Sequence, residues 1–463
     1  MPIELKPHQK FVVDYFKKHN PRGILLFHGL GTGKTITSLS IANLYPTQKV
    51  VVILPVSTMK AFNDDINKMK LDKSRFTLIS YESSGKLLSE DFYLKDKILI
   101  CDEAHRLRNI DGVHISQLMN NINQAFKVIL LSGTPIVNNP SDLAPLFNAI
   151  AGTNVLPLNT EKFIFDYVKE ETMKETDEYN RVQITIQYMP QNMFDFKSRI
   201  HKMVSFHIPM NMTDYPTFEI HKRKVEMNKE QVTEYRKVID KHLKTEDRYI
   251  LDYAGDYQLL QTLTSGTRIN SFLSNTRQIS NTVNGYDKSP KLLSILNELQ
   301  KGKLPAIIYS NFKTNGVFPM ATLLSKNGIS HELYTGELNT RQRDRIVNDY
   351  NNRKFDVLLM TSSASEGLDL KNTRQIHIMD LHWNMTKTKQ VIGRGVRYKS
   401  HIELKESERH VDVYFWMSTF SDQDKKTLGR LSADEYLYEV ASKKEKLAKE
   451  FYKLLSESAI EQL

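Results

Sequence analysis

With 463 residues, 40% of them hydrophobic and 25% charged, the chain is too long for one hydrophobic core and too ordinary in composition for a mainly disordered or fibrous protein. Sixty-four Lys and Arg against 54 Asp and Glu give a formal charge of +10, compatible with a polyanionic partner such as nucleic acid without identifying one. No apolar run approaches the roughly 20 residues that cross a bilayer, the stretch Met1 to Lys6 has no signal-peptide core, and 14 His without Cys partners show no zinc-ligand spacing.

In chain order, short β-rich apolar runs at Gly23–Phe27, Val50–Leu54, Phe76–Ser80, Ile98–Cys101 and Val128–Leu131 alternate with amphipathic helical stretches. That alternation predicts an α/β fold, a parallel sheet flanked by helices. The single Cys101 is expected to pack as a small hydrophobe, which fits a reducing compartment; taken with the lack of a signal-peptide core and of a membrane-spanning run, it leads to the expectation of a cytoplasmic protein with no membrane partner. Residues 140 to 300 are polar and helical in pattern, with an acidic stretch from Tyr167 to Asn180, a linker near 205–220 and a helical insertion about 225–285. A second run of strands follows at Ala306–Tyr309, His331–Tyr334, Val357–Met360, Ile376–Met379 and Val411–Phe415. The expected division is therefore a first lobe over 1–205 and a second over 206–463. Tyr436, Val440, Leu447, Phe451 and Leu455 recur at helical spacing, predicting a core-facing helix over about 432–460.

The chemistry concentrates in two places of the first lobe. Gly29-Leu30-Gly31-Thr32-Gly33-Lys34-Thr35 lies between a predicted strand and a helix, where backbone N–H groups and the positive helix end surround an anion. Lys34 is suited to the β and γ phosphates, and the Thr35 hydroxyl to Mg²⁺. The first position of the usual G-x-x-x-x-G-K-[ST] pattern is His28, not Gly, which loosens the match without removing a ligand. Asp102 then closes a buried strand, where a carboxylate is costly unless a cation such as Mg²⁺ compensates it, directly or through water. Glu103 is the candidate for orienting and deprotonating a water. His105 either couples the nucleotide to the next loop or caps a helix.

The run Asp102-Glu103-Ala104-His105-Arg106-Leu107-Arg108-Asn109, with Ser132-Gly133-Thr134-Pro135-Ile136-Val137-Asn138-Asn139, resembles superfamily 2 helicases, specifically the Swi/Snf-like DNA translocases. Leu5-Lys6-Pro7-His8-Gln9 is similar to the family's adenine-side motif, which implies Gln9 as the base contact and ATP as the nucleotide. Thr361 to Leu370 resembles motif five, implying Gly367 and Asp369 beside the nucleotide, and Gln390 to Arg397 resembles motif six. Asp380-Leu381-His382-Trp383-Asn384 is similar to the family's strand leading into motif six. The resemblance implies two tandem RecA-like P-loop NTPase lobes. Helical spacing puts Gln390, Gly393, Arg394 and Arg397 on one face, and two guanidiniums suit phosphate oxygens because each is a planar, permanently charged fork. The endings Tyr398-Lys399-Ser400-His401 and Ser432 to Tyr436 most resemble the nucleoside triphosphatase I and early transcription factor ATPases of large cytoplasmic DNA viruses.

The same resemblance implies nucleic-acid contacts at Pro55, Ser57, Thr58, Lys60, Ser80 and Tyr81 in the first lobe and at Asn311 and Thr361 in the second, with His105, Ser132, Gly133 and Thr134 coupling them to the nucleotide. Ser57 and Thr58 could equally cap a helix. The expected activity is a nucleic-acid-dependent ATPase moving on double-stranded DNA, with protein partners, such as transcription machinery, for targeting. A strand-separating helicase and a nucleotide-binding scaffold are the rivals; the scaffold has no chemical need for Glu103, Arg394 or Arg397.

Overall fold

In the computed structural model the described residues are 4–29, 31–87, 93–108, 119–176, 182–208, 214–243, 266–283, 285–361, 368–429 and 431–462. The chain divides into two compact units, residues 1–210 with 443–463, and residues 211–442.

In unit one the strands are β1 (Gly23–His28), β2 (Val50–Leu54), β3 (Phe76–Ser80), β4 (Ile98–Cys101), β5 (Lys127–Ser132), β6 (Val168–Thr176), β7 (Val182–Pro190) and β8 (Val204–His207). Six of them form a sheet in the order β3-β2-β4-β5-β1-β8, and every pair is parallel. Every residue of β1, β2, β4 and β5 is buried, as expected for a sheet covered on both faces, which is why these strands read as unbroken apolar runs. Alternate residues feed two cores: Leu25 and Phe27 face one, Ile24 and Leu26 the other. Gly23 is required by close approach, since a Cβ there would lie 2.3 Å from Val128 O.

Unit two contributes β9 (Thr217–Glu226), β10 (Ala306–Tyr309), β11 (His331–Tyr334), β12 (Val357–Met360), β13 (Gln375–Ile378) and β14 (His410–Thr419). They make a second all-parallel sheet, ordered β11-β12-β10-β13-β14-β9. The insertion carries the helices Lys229–His242 and Gly266–Asn281, which pack on Phe420, Tyr436 and Leu437. Two parallel α/β sheets, each flanked by helices, are the expected architecture.

Three expectations change. The acidic stretch after Tyr167 opens an antiparallel hairpin, β6 with β7, rather than a helix. The expected linker is strand at both ends, for β8 joins the first sheet beside β1 and β9 the second beside β14. Residues 443–463 belong to unit one, so they do not stay with the second lobe: within the helix Ala433–Glu457, Leu447, Phe451 and Leu455 enter the unit-one core. Among the described residues no helix is long and apolar enough to cross a membrane.

Candidate functional site

The functional residues of unit one follow the carboxyl ends of its strands, where open parallel sheets place their ligands. After β1 the chain turns through Gly31 (φ 72°) and Gly33 (φ 82°), left-handed conformations that glycine adopts without strain, into the helix Lys34–Ala42. Gly33 is doubly constrained, because a Cβ there would meet Gln9 Nε2 at 2.4 Å. Lys34 Nζ donates to His28 O (2.9 Å) and Gly29 O (3.1 Å), and Thr32 Oγ1 donates to Gly29 O (2.8 Å). Gln9 Nε2 donates to Thr32 O (3.2 Å) and Gly33 O (3.1 Å), while its Oε1 accepts from Lys6 N (2.9 Å). Gln9 thus holds the glycine-rich turn directly. Burial lowers the pKa of the Lys34 amine, and the charges of Glu103 and Asp102 oppose that shift.

After β4, burial pushes the Asp102 carboxyl up to about 6, with the Glu103 charge adding to the shift and Lys34 opposing it. Glu103 has φ 50°, a strained conformation for a residue with a side chain. Two contacts hold that turn. Glu103 N donates to Asp102 Oδ1 (3.0 Å), and Tyr81 Oη donates to Asp102 O (2.8 Å). His105 Nδ1 stands 3.3 Å from Glu103 Oε2 and 3.4 Å from Ser132 Oγ, which in turn accepts from Thr134 N (3.1 Å). Glu103, His105, Ser132 and Thr134 therefore form one polar line from the end of β4 to the loop after β5. Asp142 steadies that loop by accepting from Val137 N (2.8 Å) and Asn138 N (2.6 Å).

The expected nucleic-acid contacts differ in what they present. Ser57 and Lys60 are exposed, Pro55 is buried, and Thr58 Oγ1 donates to Pro55 O (3.0 Å) without capping the helix it precedes. Ser80 Oγ is paired with Ser83 Oγ (2.8 Å), and the Tyr81 hydroxyl is turned inward as described.

In unit two Gln390 and Arg394 lie on the helix Met385–Gly395. Arg397 does not share that helical face: the backbone leaves the helix at Val396, and Arg397 Nη1 donates to Leu368 O (3.1 Å). The helix stops where Gly395 presses on the segment before β13, since a Cβ there would come within 3.0 Å of Thr373. Thr361 is buried and Asp369 exposed; Leu30 and Gly367 lie outside the described residues. Asn311 donates through Nδ2 to Asp380 O (3.1 Å) and accepts from Tyr309 Oη (3.1 Å).

Two matches to family models cover most of the chain: the SNF2-related domain over residues 76–285 and the helicase conserved C-terminal domain over residues 287–399. A protein of Acanthamoeba polyphaga mimivirus, named "Putative ATP-dependent RNA helicase", is 38% identical over 99% of this chain and 98% of its own length. The chain belongs to the SNF2-related helicase family. A second relative of this SNF2-related chain, named "Termination factor NPH-I homolog", comes from African swine fever virus and is 26% identical over 96% of the chain and 76% of its own length. A solved structure titled "Sulfolobus solfataricus SWI2/SNF2 ATPase core in complex with dsDNA" aligns over 97% of both chains at 16% identity with a TM-score of 0.36, and adds nothing to the fold described above.

As an SNF2-related enzyme the protein is an ATP hydrolase, and the donor set after β1 and β4 suits its chemistry. No cluster of three or more His, Cys, Asp or Glu suited to a metal ion occurs among the described residues. Thr35 and Asp102 remain the candidate protein ligands for the expected cation. Asp102 has the chemistry for that role, a carboxylate at the carboxyl end of β4 with Lys34 close enough to lower its pKa against the effect of burial.

The sequence placed Asp380 in the run leading into motif six without assigning it a role; it is fully buried and accepts from Asn311 N (2.9 Å), Asn281 Nδ2 (3.0 Å), Arg277 Nη2 (3.3 Å) and Ser310 Oγ. The available signal was the one used for Asp102, a carboxylate just after a buried apolar strand. Lys291, also fully buried, pairs with Asp434 at 2.7 Å and had no such signal inside an amphipathic helix.

Proposed function

We propose that this chain is a DNA-dependent ATPase that translocates on double-stranded DNA and displaces or releases bound protein. The observation that carries the reading is the polar line from Glu103 through His105 to Ser132 and Thr134, which ties the candidate base to the loop expected to sense nucleic acid. In this reading Lys34 and the loop amides bind the phosphates, Gln9 reads the base, and Glu103 takes the proton of the attacking water. Thr35 and Asp102 hold Mg²⁺, which neutralises charge on the phosphate oxygens. Gln390, Arg394 and Arg397 belong to the transition-state side, with Gly367 and Asp369 beside them, and an arginine finger in such sites contributes about 10³ to 10⁵ in rate.

Pro55, Ser57, Thr58, Lys60, Ser80, Tyr81, Asn311 and Thr361 are proposed to track a phosphate backbone, contacts that carry no sequence code. For Tyr81 and Asn311, whose polar atoms hold Asp102 and Asp380, that role is to shape the contacting loops. Alternating grip by the two units, driven by ATP binding and release, would move the protein along one strand of the duplex. The relative named as a termination factor supports transcription machinery as the protein partner, and the viral relatives support the cytoplasm of an infected cell as the location.

A second reading, ATP-driven work on RNA, is favoured by the name of the mimivirus relative. Phosphate release with duplex DNA, single-stranded DNA or RNA, at two salt concentrations and with Glu103→Gln as the blank, separates the two. Stimulation by duplex DNA that weakens with salt is expected; preferential stimulation by RNA or single strands would replace the translocase reading.

A further inference from the structure

The phosphate loop departs from its pattern at His28, and the structure supplies a partner for that departure from far along the chain. His28 is fully buried, with Nε2 2.8 Å from Ser205 Oγ. Ser205 Oγ also bonds Glu461 Oε1. An ionised carboxylate only accepts, so the Ser205 hydroxyl donates to Glu461, and its lone pair takes the Nε2–H of His28. Burial, reinforced by His8, Lys34 and His207, drives the His28 pKa down to about 2, so the ring stays neutral.

Glu461 grips the same strand a second time, its Oε2 accepting from Phe206 N (3.0 Å) on the outer edge of β8. That strand holds both ends of the phosphate loop. His207 O accepts from Gly29 N (2.9 Å), while the His207 ring stacks on His8 (centroids 3.9 Å apart, planes 7° apart), whose Nε2 donates to Thr32 O (3.0 Å). Tyr452 adds a separate tie: its ring packs on Phe27 (4.8 Å) just before the loop, and its hydroxyl donates to Ile136 O (3.3 Å) in the loop after β5. Phe451, Leu455 and Ile460 bury the segment that carries both residues.

We infer that residues 443–463 are a positioning element of the ATP site: Glu461, acting through Ser205 and His28, and Tyr452, acting on Phe27 and Ile136, set the phosphate loop for nucleotide. The inference rests on the reading of Lys34 and its loop as the nucleotide site. A merely structural tail would lower thermal stability and the active fraction, and leave KM for ATP where it was.

The test is a double-mutant cycle on the full chain, with KM for MgATP, kcat and Tm measured for wild type, Glu461→Ala, His28→Gly and the double variant, and Ser205→Ala as a second break in the relay. Losing a charge-assisted contact is expected to raise KM about fivefold to twentyfold in Glu461→Ala and Ser205→Ala, with kcat at saturating ATP within about twofold of wild type. In the His28→Gly background, Glu461→Ala should add clearly less than in wild type, because the relay is already cut and only the bond to Phe206 N remains to be lost. Unchanged KM in both relay variants, or equal effects of Glu461→Ala with and without His28, overturns the inference. Lys34→Ala is the control for the parent reading. If it leaves ATP binding intact the site itself is misplaced, whereas lost binding in Lys34→Ala beside unchanged KM in Glu461→Ala defeats the positioning role alone.

Discussion

Asp380 accepts the backbone N–H of Asn311 at 2.9 Å and is reached by the Asn311 side-chain amide as well, so the loop after β10 is pinned to the carboxyl end of β13. Arg277 from the insertion helix Gly266–Asn281 completes the shell and lies over the Phe312 ring, 5.2 Å from its centroid. A fully buried carboxylate is tolerated because each donor around it is aimed at it. Removing it strands those donors and an Arg charge, so Asp380→Ala is expected to destabilise unit two by about 3–5 kcal/mol. Asp380→Asn, which keeps the volume, should fold and weaken stimulation by nucleic acid more than basal ATP hydrolysis. Chemical denaturation of both variants, with duplex-DNA titrations of the second, checks this; equal loss of basal and stimulated activity would confine Asp380 to stability.

Asp102 and Tyr81 fix the turn at Glu103, the proposed general base, while its carboxylate leans toward His105. Glu103→Gln keeps the shape and loses the base. Turnover should fall by about 10² to 10⁴ while ATP and nucleic-acid binding persist. His105→Ala leaves the base but cuts the line to Ser132, so basal hydrolysis should survive and stimulation by nucleic acid should drop severalfold. Single-turnover hydrolysis with and without duplex DNA distinguishes the two variants, and near-normal turnover in Glu103→Gln would remove it as the base.

Much of this was legible in the sequence because short β-rich apolar runs stand out between turns: Val50–Leu54, Phe76–Ser80, Ile98–Cys101, Ala306–Tyr309, His331–Tyr334 and Val357–Met360 have the boundaries the pattern predicted, the partly buried edge strands β3 and β11 included. The missed strands lack that signature. β9 is an edge strand with most residues exposed and the charged run Lys222-Arg223-Lys224 within it, and β8 breaks its apolar residues with Ser205 and His207. Lys34, and separately Asp102, Glu103 and His105, could be singled out as candidates because each motif is contiguous in the sequence. Asp380 with Asn281, or Glu461 with Ser205, could not, since nothing in a linear pattern marks which distant residue will satisfy a buried polar atom. The helical face assumed for Arg397 failed because the helix ends at Gly395 and the backbone turns away at Val396.

His377 is buried in unit two between Gln375 Oε1 (3.2 Å from Nε2) and Trp416, whose Nε1 donates to His377 Nδ1 (3.2 Å), and burial lowers its pKa to about 3. The folded state refuses a proton that the unfolded chain takes near pH 6.5. A pKa depressed on folding contributes stability that is complete above 6.5 and lost as pH falls, here by about 1.4 kcal/mol for each unit below it. His377→Gln has no ring to titrate, so its stability should fall less steeply between pH 6.5 and 5, even if it starts lower at pH 7.5. Denaturant unfolding of wild type and variant at pH 7.5, 6 and 5 measures the two slopes; parallel slopes would mean that another group controls the acid limb.

Arg397 reaches Leu368 O through Nη1 and is only partly buried, so its guanidinium retains donors for another oxygen acceptor. If it stabilises charge on a transferring phosphoryl group, its effect belongs to the transition state and not to ground-state binding. Arg397→Ala should therefore hold ATP about as tightly as wild type and hydrolyse it about 10²-fold or more slowly, and Arg397→Lys should recover little, because a point charge lacks the bidentate fork. Binding of a fluorescent ATP analogue beside single-turnover hydrolysis separates the cases. Lost binding with normal hydrolysis per bound nucleotide would turn Arg397 from a finger into a ground-state clamp, and would leave Arg394 as the remaining candidate on the helix Met385–Gly395.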